Sequence, residues 1–385
     1  MSEHFICYFC RVSNFYPDKW WYKYQHSIQR KLADYSIYTD FASNDYLGFS
    51  KTGVVDKIFR KHLNELYISG STGSRLISGN RQWIEEIERK IAHYHHSENA
   101  LIFPSAYQAN VGLFSCIADR NDLYLIDENI HASVYDGIRL SFARYYKFKH
   151  NDWDDLKKQI EKHYRSFENI FVVVESLYSM DGDSPDIKEI MALIDNKKVF
   201  LIVDEAHAFG ITGENNLGLF NEKTYASACA ARIIGYGKAA GFSGACIIGS
   251  DVLKNYLINF SRAFIFSTAL PFYHYQIIEK LYDIIVYHSF EQLSRLKRNI
   301  HFYLQSTSSE KYFSKNNSPI QYYLLKTHNY QDIQNTIIQN NIYAKVILPP
   351  TVQKGKERIR ISLHAFNTIE EIKHLINMLK TFSNE

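Results

Sequence analysis

Val199-Phe200-Leu201-Ile202-Val203-Asp204-Glu205-Ala206-His207 is an apolar run of five that stops abruptly in acids, a small residue and an imidazole. Such a run, bounded by polar residues, reads as a strand buried on both faces of a parallel sheet, with its carboxyl end facing a crevice. A second apolar piece, Arg232-Ile233-Ile234, enters Gly235-Tyr236-Gly237-Lys238-Ala239-Ala240-Gly241, and a third, Ala245-Cys246-Ile247-Ile248, follows. Lys238 is the only lysine in this apolar neighbourhood. Desolvation disfavours its ammonium, so it can present a neutral amine able to form a Schiff base with an aldehyde cofactor. An Asp, a His and a Lys at strand ends point to pyridoxal phosphate.

The four residues from Asp204 to His207 also spell a box found in ATP-driven nucleic-acid motors. That reading requires an upstream Gly-x-x-x-x-Gly-Lys-Ser/Thr phosphate loop, which the chain lacks. A formal net charge of +3 without a dense basic tract gives no reason to expect a nucleic-acid partner. The five cysteines, at 7, 10, 116, 229 and 246, are scattered and odd in number, which suits a reducing compartment and no disulfide framework. Cys7 and Cys10 have redox-motif spacing but read as an apolar lead. No stretch reaches the ~18 to 20 apolar residues that span a bilayer, so a cytoplasmic protein with no membrane partner is expected.

Outward from the central run, apolar pieces recur at Leu101–Phe103, Leu123–Ile126, Tyr145–Phe148, Ile170–Val174, Arg232–Ile234 and Ala245–Ile248, with amphipathic segments such as Asp152–Tyr164 and Asp186–Ile194 between them. The alternation is that of an α/β protein with a mostly parallel seven-stranded sheet covered by helices on both faces. Trp83, Ile84, Ile87 and Ile91 recur at helical spacing, and His93 to His96 read as a solvated helix end, not a metal site. Past Ser250 two long helical stretches are expected, Asp251–Arg262 and Phe272–Leu304. Short strands at Gln321–Leu325 and Ile359–Leu363 and a helix from Thr368 then suit a smaller α+β unit. The division expected is an N-terminal arm over 1–50 with one short helix near Tyr24–Leu32, a large domain over 51–285 and a small domain over 286–385.

Polar residues follow the strands: Ser105-Ala106-Tyr107 opening a helix, where a phosphate sits well, Asp127 to His131, Glu175 to Ser179, Asp204 with His207, and Lys238. Ligands lie at the carboxyl ends of strands in open α/β sheets. Together with Ser43-Asn44-Asp45-Tyr46-Leu47-Gly48, the run Gly70 to Asn80, Glu175 to Asp183, Gly237-Lys238-Ala239 and Arg358 to Leu363, these motifs resemble, in order and over nearly the whole chain, the α-oxoamine synthases. Those are fold-type-I pyridoxal-phosphate transferases, aspartate aminotransferase-like in fold. The form Ser74-Arg75-Leu76-Ile77-Ser78-Gly79-Asn80 is most similar to the biotin-pathway branch; the glycine acetyltransferase and serine palmitoyltransferase branches read differently there.

The resemblance implies that Lys238 carries the cofactor and moves protons at the substrate α-carbon. Asp204 would pair with the ring nitrogen, His207 and Ser179 would bond the phenolic oxygen, and His131 would stack on the ring. Ser105, Ala106, Tyr107 and Gly235 would surround the phosphate, with Ser267 and Thr268 reaching it from a second copy in a homodimer with shared sites. Arg360 would hold the amino-acid carboxylate, with Asn44 and Thr351 in substrate motifs and Arg30 at the far end of the acyl chain. The implied reaction joins L-alanine to a dicarboxylic acyl-CoA, pimeloyl-CoA, with loss of CoA and CO2. Other acyl-CoA and amino-acid pairs are the near alternative, and a catalytically weak binding or assembly subunit the distant one. Two residues depart from the family pattern, both at the phosphate: Gly235 stands where a Thr is usual, and Ala106 where a Gly is usual. A threonine restored at 235 is expected to tighten cofactor binding unless a positive φ there forbids it, and Ala106 is expected to strain its turn if that position has positive φ.

Overall fold

The computed structural model describes residues 36–194, 198–326 and 329–382. The expected helix near Tyr24–Leu32, Cys7, Cys10 and Arg30 lie outside the described residues. In chain order the elements are β1 (Thr39–Asp40), α1 (Val54–Lys61), α2 (Gln82–Tyr94), β2 (Asn99–Phe103), α3 (Ala106–Phe114), β3 (Leu123–Asp127), α4 (Ala132–Leu140), β4 (Arg144–Phe148), α5 (Trp153–His163), β5 (Ile170–Glu175), α6 (Ile187–Ile194), β6 (Val199–Asp204), α7 (Lys223–Ala228), β7 (Cys229–Gly235) and β8 (Ala245–Gly249). They continue as α8 (Asp251–Phe260), α9 (Arg262–Ile265), α10 (Phe272–Tyr287), α11 (Phe290–Ser306), β9 (Ile320–Leu324), α12 (Tyr330–Gln339), β10 (Ile342–Tyr343), β11 (Lys345–Ile347), β12 (Arg358–Ser362) and α13 (Ile369–Thr381).

The seven apolar runs form one sheet in the order β2-β8-β7-β6-β5-β3-β4. From β7 to β4 every neighbour is parallel, while β8 runs antiparallel to both β7 and β2. The reversal follows from the turn between β7 and β8, closed by a Tyr236 N–H bond to Gly244 O at 3.0 Å; a parallel return needs a crossover of about a dozen residues or more. Alternate side chains of the central strands enter opposite layers: Tyr124, Ile126, Val173 and Ile202 join the layer under α3 and α4, while Leu125, Val172, Leu201 and Val203 join that under α5 and α6. Burial on both faces is why these strands read as unbroken apolar runs.

Two sequence expectations change. The stretch Phe272–Leu304 is two helices, α10 and α11, because the Ser289 hydroxyl turns back to bond Ile285 O at 2.6 Å and the helix restarts after it. His95 is not a solvated helix end: it is fully buried, with Nδ1 2.9 Å from Asn221 Oδ1 and Nε2 2.9 Å from the Tyr282 hydroxyl. In the Asp40–Gly48 stretch the apolar side chains Phe41, Tyr46 and Leu47 are at most 1% exposed, while Ala42 to Asp45 between them are half-buried.

That stretch is held by the smaller antiparallel sheet β11-β12-β9 and by β1 pairing with β10. Phe41 N–H donates to Tyr343 O at 2.8 Å, and Ser362 N–H to Phe41 O at 2.7 Å. Asn44 is thereby carried to β12 and Arg360. The closing helix α13 starts at Thr368 with a reciprocal capping box to Glu371.

Candidate active site

Neighbouring strands β5 and β6 end in register at Glu175 and Asp204. Asp204 is 7% exposed; its Oδ1 accepts from Ala206 N–H at 3.0 Å and its Oδ2 from Asn110 Nδ2 at 2.8 Å. Both bonds fix the direction of its carboxyl group. Glu175 is buried beside it, and burial, reinforced by the Asp204 charge, pushes its carboxyl well above the usual range. Its Oε1 meets no hydrogen-bond partner among the described residues. Lys238, in the turn after β7, is only partly exposed. Burial lowers its ammonium to about 8 against the opposing pull of Asp204 and Glu175, and the Arg360 charge pushes the same way as burial.

Two hydrogen-bonded chains converge here. In the first, Asn110 Nδ2 bonds both Asp204 and, at 2.9 Å, the Ser133 hydroxyl, which lies 2.7 Å from His131 Nδ1. Ser133 N–H also donates to that nitrogen at 3.2 Å, so Nδ1 is the acceptor and the imidazole proton is assigned to Nε2. Burial lowers the His131 imidazole and keeps it neutral, with Asp204 opposing. In the second chain, Arg360 donates from Nε to Ser179 O at 2.7 Å, from one terminal nitrogen to Ser362 Oγ at 2.9 Å and from the other to Asn44 Oδ1 at 2.9 Å. The Tyr46 hydroxyl donates to the same Asn44 oxygen at 3.2 Å and lies 2.8 Å from His207 Nδ1. His207 is held well below its usual range by burial first, then by Lys238 and Arg360.

Ser105 caps α3, its hydroxyl accepting from Gln108 N–H at 3.2 Å, and the amides of Ala106 and Tyr107 open the helix without intrahelical partners of their own. Gln108 Nε2 donates to the Ser267 hydroxyl at 3.2 Å, so Ser267 of the same chain reaches this helix end; Thr268 next to it is exposed. Neither Ala106 nor Gly235 has a positive φ. The strain expected at Ala106 is absent. At Gly235 the obstacle is a neighbour: a Cβ there would lie 2.9 Å from Ala206 Cβ and 3.5 Å from Ala106 Cβ.

His131, Ser179 and Thr351 share the wall of a cavity of about 680 Å³, with Lys147, Lys356 and Arg358 on the same wall. The site also contains residues the sequence reading passed over. Tyr46 and Glu175 lie inside the motifs Ser43–Gly48 and Glu175–Asp183, and Asn110 carries no sequence signal beyond lying one turn into α3. A carboxylate fixed at a strand end, a lysine of lowered basicity beside it and the free amides of a helix start form a donor set that fits pyridoxal phosphate.

The family model of aminotransferases class I and II matches residues 36–379. An 8-amino-7-oxononanoate synthase of Emericella nidulans is 34% identical over 369 residues, covering 89% of each chain. A putative enzyme of the same name from Methanococcus vannielii is 37% identical, over 91% of this chain and 93% of its own. Among solved structures, the 8-amino-7-oxononanoate synthase of Francisella tularensis superposes with a TM-score of 0.77 at 26% identity, over 91% of this chain and 98% of that one. Serine palmitoyltransferase of Sphingomonas wittichii gives 0.81 at 25% identity, over 89% and 86%. The chain belongs to the aminotransferase class I and II family, and within it to the pyridoxal-phosphate-dependent α-oxoamine synthases.

Proposed function

We propose that the protein condenses L-alanine with pimeloyl-CoA, releasing CoA and CO2 and forming 8-amino-7-oxononanoate for biotin synthesis. The observation that carries this reading is the joining of Asp204, His131, His207, Asn44 and Arg360 by the two hydrogen-bonded chains beside Lys238, together with relatives of that name at 34% and 37% identity. When bound, pyridoxal phosphate supplies an electron sink for charge developing at the amino acid's α-carbon.

Lys238 takes the α-proton and later returns it, a task suited to an amine whose basicity is lowered to about 8. Asp204, oriented by Asn110 and the Ala206 amide, keeps the cofactor ring nitrogen protonated. His207 and Ser179 hold the phenolic oxygen, and His131 covers the ring face. Arg360, held by Ser179 O, Ser362 Oγ and Asn44 Oδ1, would turn its planar fork of N–H donors to the substrate carboxylate. A carbon–carbon bond then forms from alanine Cα to the thioester carbonyl as the carbon–sulfur bond breaks and CoA leaves. The carboxylate departs as CO2, and a proton fills its place. Ser105 with the Ala106 and Tyr107 amides holds the cofactor phosphate, with Gly235 beside it; Thr351, in the cavity wall, faces the acyl donor.

A homodimer with shared sites belongs to the same proposal. The loop Gly70–Asn80 and the segment Ser267–Pro271 are tied together by Ala269 N–H to Gly73 O at 2.9 Å and Ser71 Oγ to Ala269 O at 2.6 Å. Ile77 in the first, 85% exposed, and Phe266 just before the second, 69% exposed, offer apolar surface for a second copy carrying Thr268. No helix among the described residues is long and apolar enough to cross a membrane, and a cytoplasmic location is proposed with the rest. So is the division at about residue 285, near the break between α10 and α11.

Mixing purified protein with L-alanine and pimeloyl-CoA tests the reading: thiol release should accompany a product with the mass of 8-amino-7-oxononanoate, and glycine and serine should compete poorly. Preference for glycine with a two-carbon acyl donor would contradict it.

A further inference from the structure

Two loops carry opposite sides of the proposed cofactor site, the turn Asp127–His131 after β3 and the loop Tyr178–Asp183 after β5. The imidazole of His150, from a third loop, lies between them. His150 Nδ1 is 2.9 Å from Asp127 Oδ1 and 3.1 Å from Oδ2, while Nε2 is 3.0 Å from Asp183 Oδ2. An imidazole donates from both nitrogens at once only as the imidazolium. Burial alone would lower this histidine, but the hydrogen bonds and charges of Asp127 and Asp183 outweigh it and raise it to about 10.

The surroundings are built for the same bridge. Asn151 adopts a left-handed φ of 52°, which turns its N–H to Asp127 Oδ2 at 3.1 Å and its side-chain amide to Asp183 Oδ2 at 3.0 Å. Asp127 also receives Asn129 N–H at 2.8 Å, and Ile130 N–H closes the turn on Asp127 O at 3.1 Å, directly before His131. On the other side, Tyr178 N–H donates to Asp183 O at 2.9 Å, closing the loop that holds Ser179, whose carbonyl receives Arg360 Nε at 2.7 Å. Asp181 in the same loop pairs with Arg358 at 2.8 Å. The Tyr178 ring stands edge-on to His150, centroids 4.4 Å apart, and Glu128 Oε1 accepts the His150 N–H at 3.2 Å. Asp127, Glu128, Asp183 and Tyr178 are thus the titratable groups facing this histidine.

We propose that His150 is a positioning residue for the active site, a clamp between Asp127 and Asp183 that sets the separation of His131 from Ser179 and so the grip on the cofactor ring. It acts without touching the ring. Removing it takes the positive charge from between the two carboxylates and leaves the loops linked by Asn151 and by the Asn129 Nδ2 bond to Asp181 Oδ2 at 3.1 Å, a weaker tie that lets both relax. The inference rests on the reading of His131 and Ser179 as cofactor-facing residues.

The test uses the full chain stripped of cofactor and titrated with pyridoxal phosphate. His150→Ala is expected to bind it about tenfold more weakly or worse, as the loss of charge-assisted hydrogen bonds implies. At saturation its cofactor should show a reduced visible circular-dichroism band, because a loosened ring loses its fixed asymmetric setting. His150→Gln, which still donates to one acid, should fall between. Affinity within about twofold of the parent and an unchanged dichroic band would overturn the proposal. If His150→Ala does not fold, His150→Gln decides alone by the same two readouts. Neither readout involves the substrates, so failure of the alanine and pimeloyl-CoA assay leaves this test standing, whereas a parent protein that binds no cofactor overturns the active-site reading first.

Discussion

Lys238 sits where a lowered basicity has a measurable consequence. Only its free amine attacks the cofactor aldehyde, and burial brings that amine within reach of neutral pH. The rate of covalent pyridoxal phosphate capture by cofactor-free protein should therefore rise as pH rises through about 8 and level off above it, as read by stopped-flow absorbance. A rise centred near the usual lysine value, ~10.4, would show that the amine is solvated. Lys238→Ala should abolish turnover, and Asp204→Asn should lose about 100-fold or more of kcat while still binding cofactor, since an amide cannot stabilise a protonated ring nitrogen. Gly235 gives the opposite expectation to the one its sequence suggested. Gly235→Thr drives a Cβ to 2.9 Å from Ala206, inside the Asp204–His207 turn, and such overpacking costs about 1 to 3 kcal/mol. Weaker cofactor binding is expected, with partial recovery when Ala206→Gly is added. The sequence showed the missing hydroxyl but not the methyl facing it, because that contact joins residues of two separate strand ends.

At the scale of elements, the inner strands of the large sheet were legible because burial on both faces leaves an uninterrupted apolar signal, whereas the edge strand β4, exposed from Arg144 to Lys147, showed only through its tyrosines and Phe148. Where burial is one-sided or strands are short, the signal fades: β10 and β11 span two and three residues and were not anticipated. The break between α10 and α11 was hidden for another reason. Ser289 is an ordinary helix-compatible residue by propensity, and only its bond to Ile285 O reveals the interruption. The start of α13 at Thr368 was legible, and the structure adds its reciprocal bonds with Glu371. Thr368→Ala should lower unfolding free energy in urea by about 1 kcal/mol with kcat unchanged; a parent-like midpoint would show that α13 is fixed by packing alone.

At the scale of the molecule, the large sheet supplies Glu175, Asp204 and Lys238, while β12 of the small sheet supplies Arg360, and the stretch Phe41–Gly48 joins the two through Asn44 and Tyr46. The motifs announced each part; the wiring through Asn110, Ser133 and Tyr46 became visible only once the chain was folded. The proposed second copy makes a further prediction: Ile77→Glu should shift the protein toward monomer in sedimentation velocity and lower activity with it, whereas an unchanged sedimentation coefficient would place the interface elsewhere. The proposed chemistry turns on one atom, the Nζ of Lys238. Borohydride reduction of the cofactor-loaded protein, followed by peptide mass spectrometry, should find a phosphopyridoxyl group on the peptide containing Lys238. Its appearance on another lysine, or on none, would contradict the site described here.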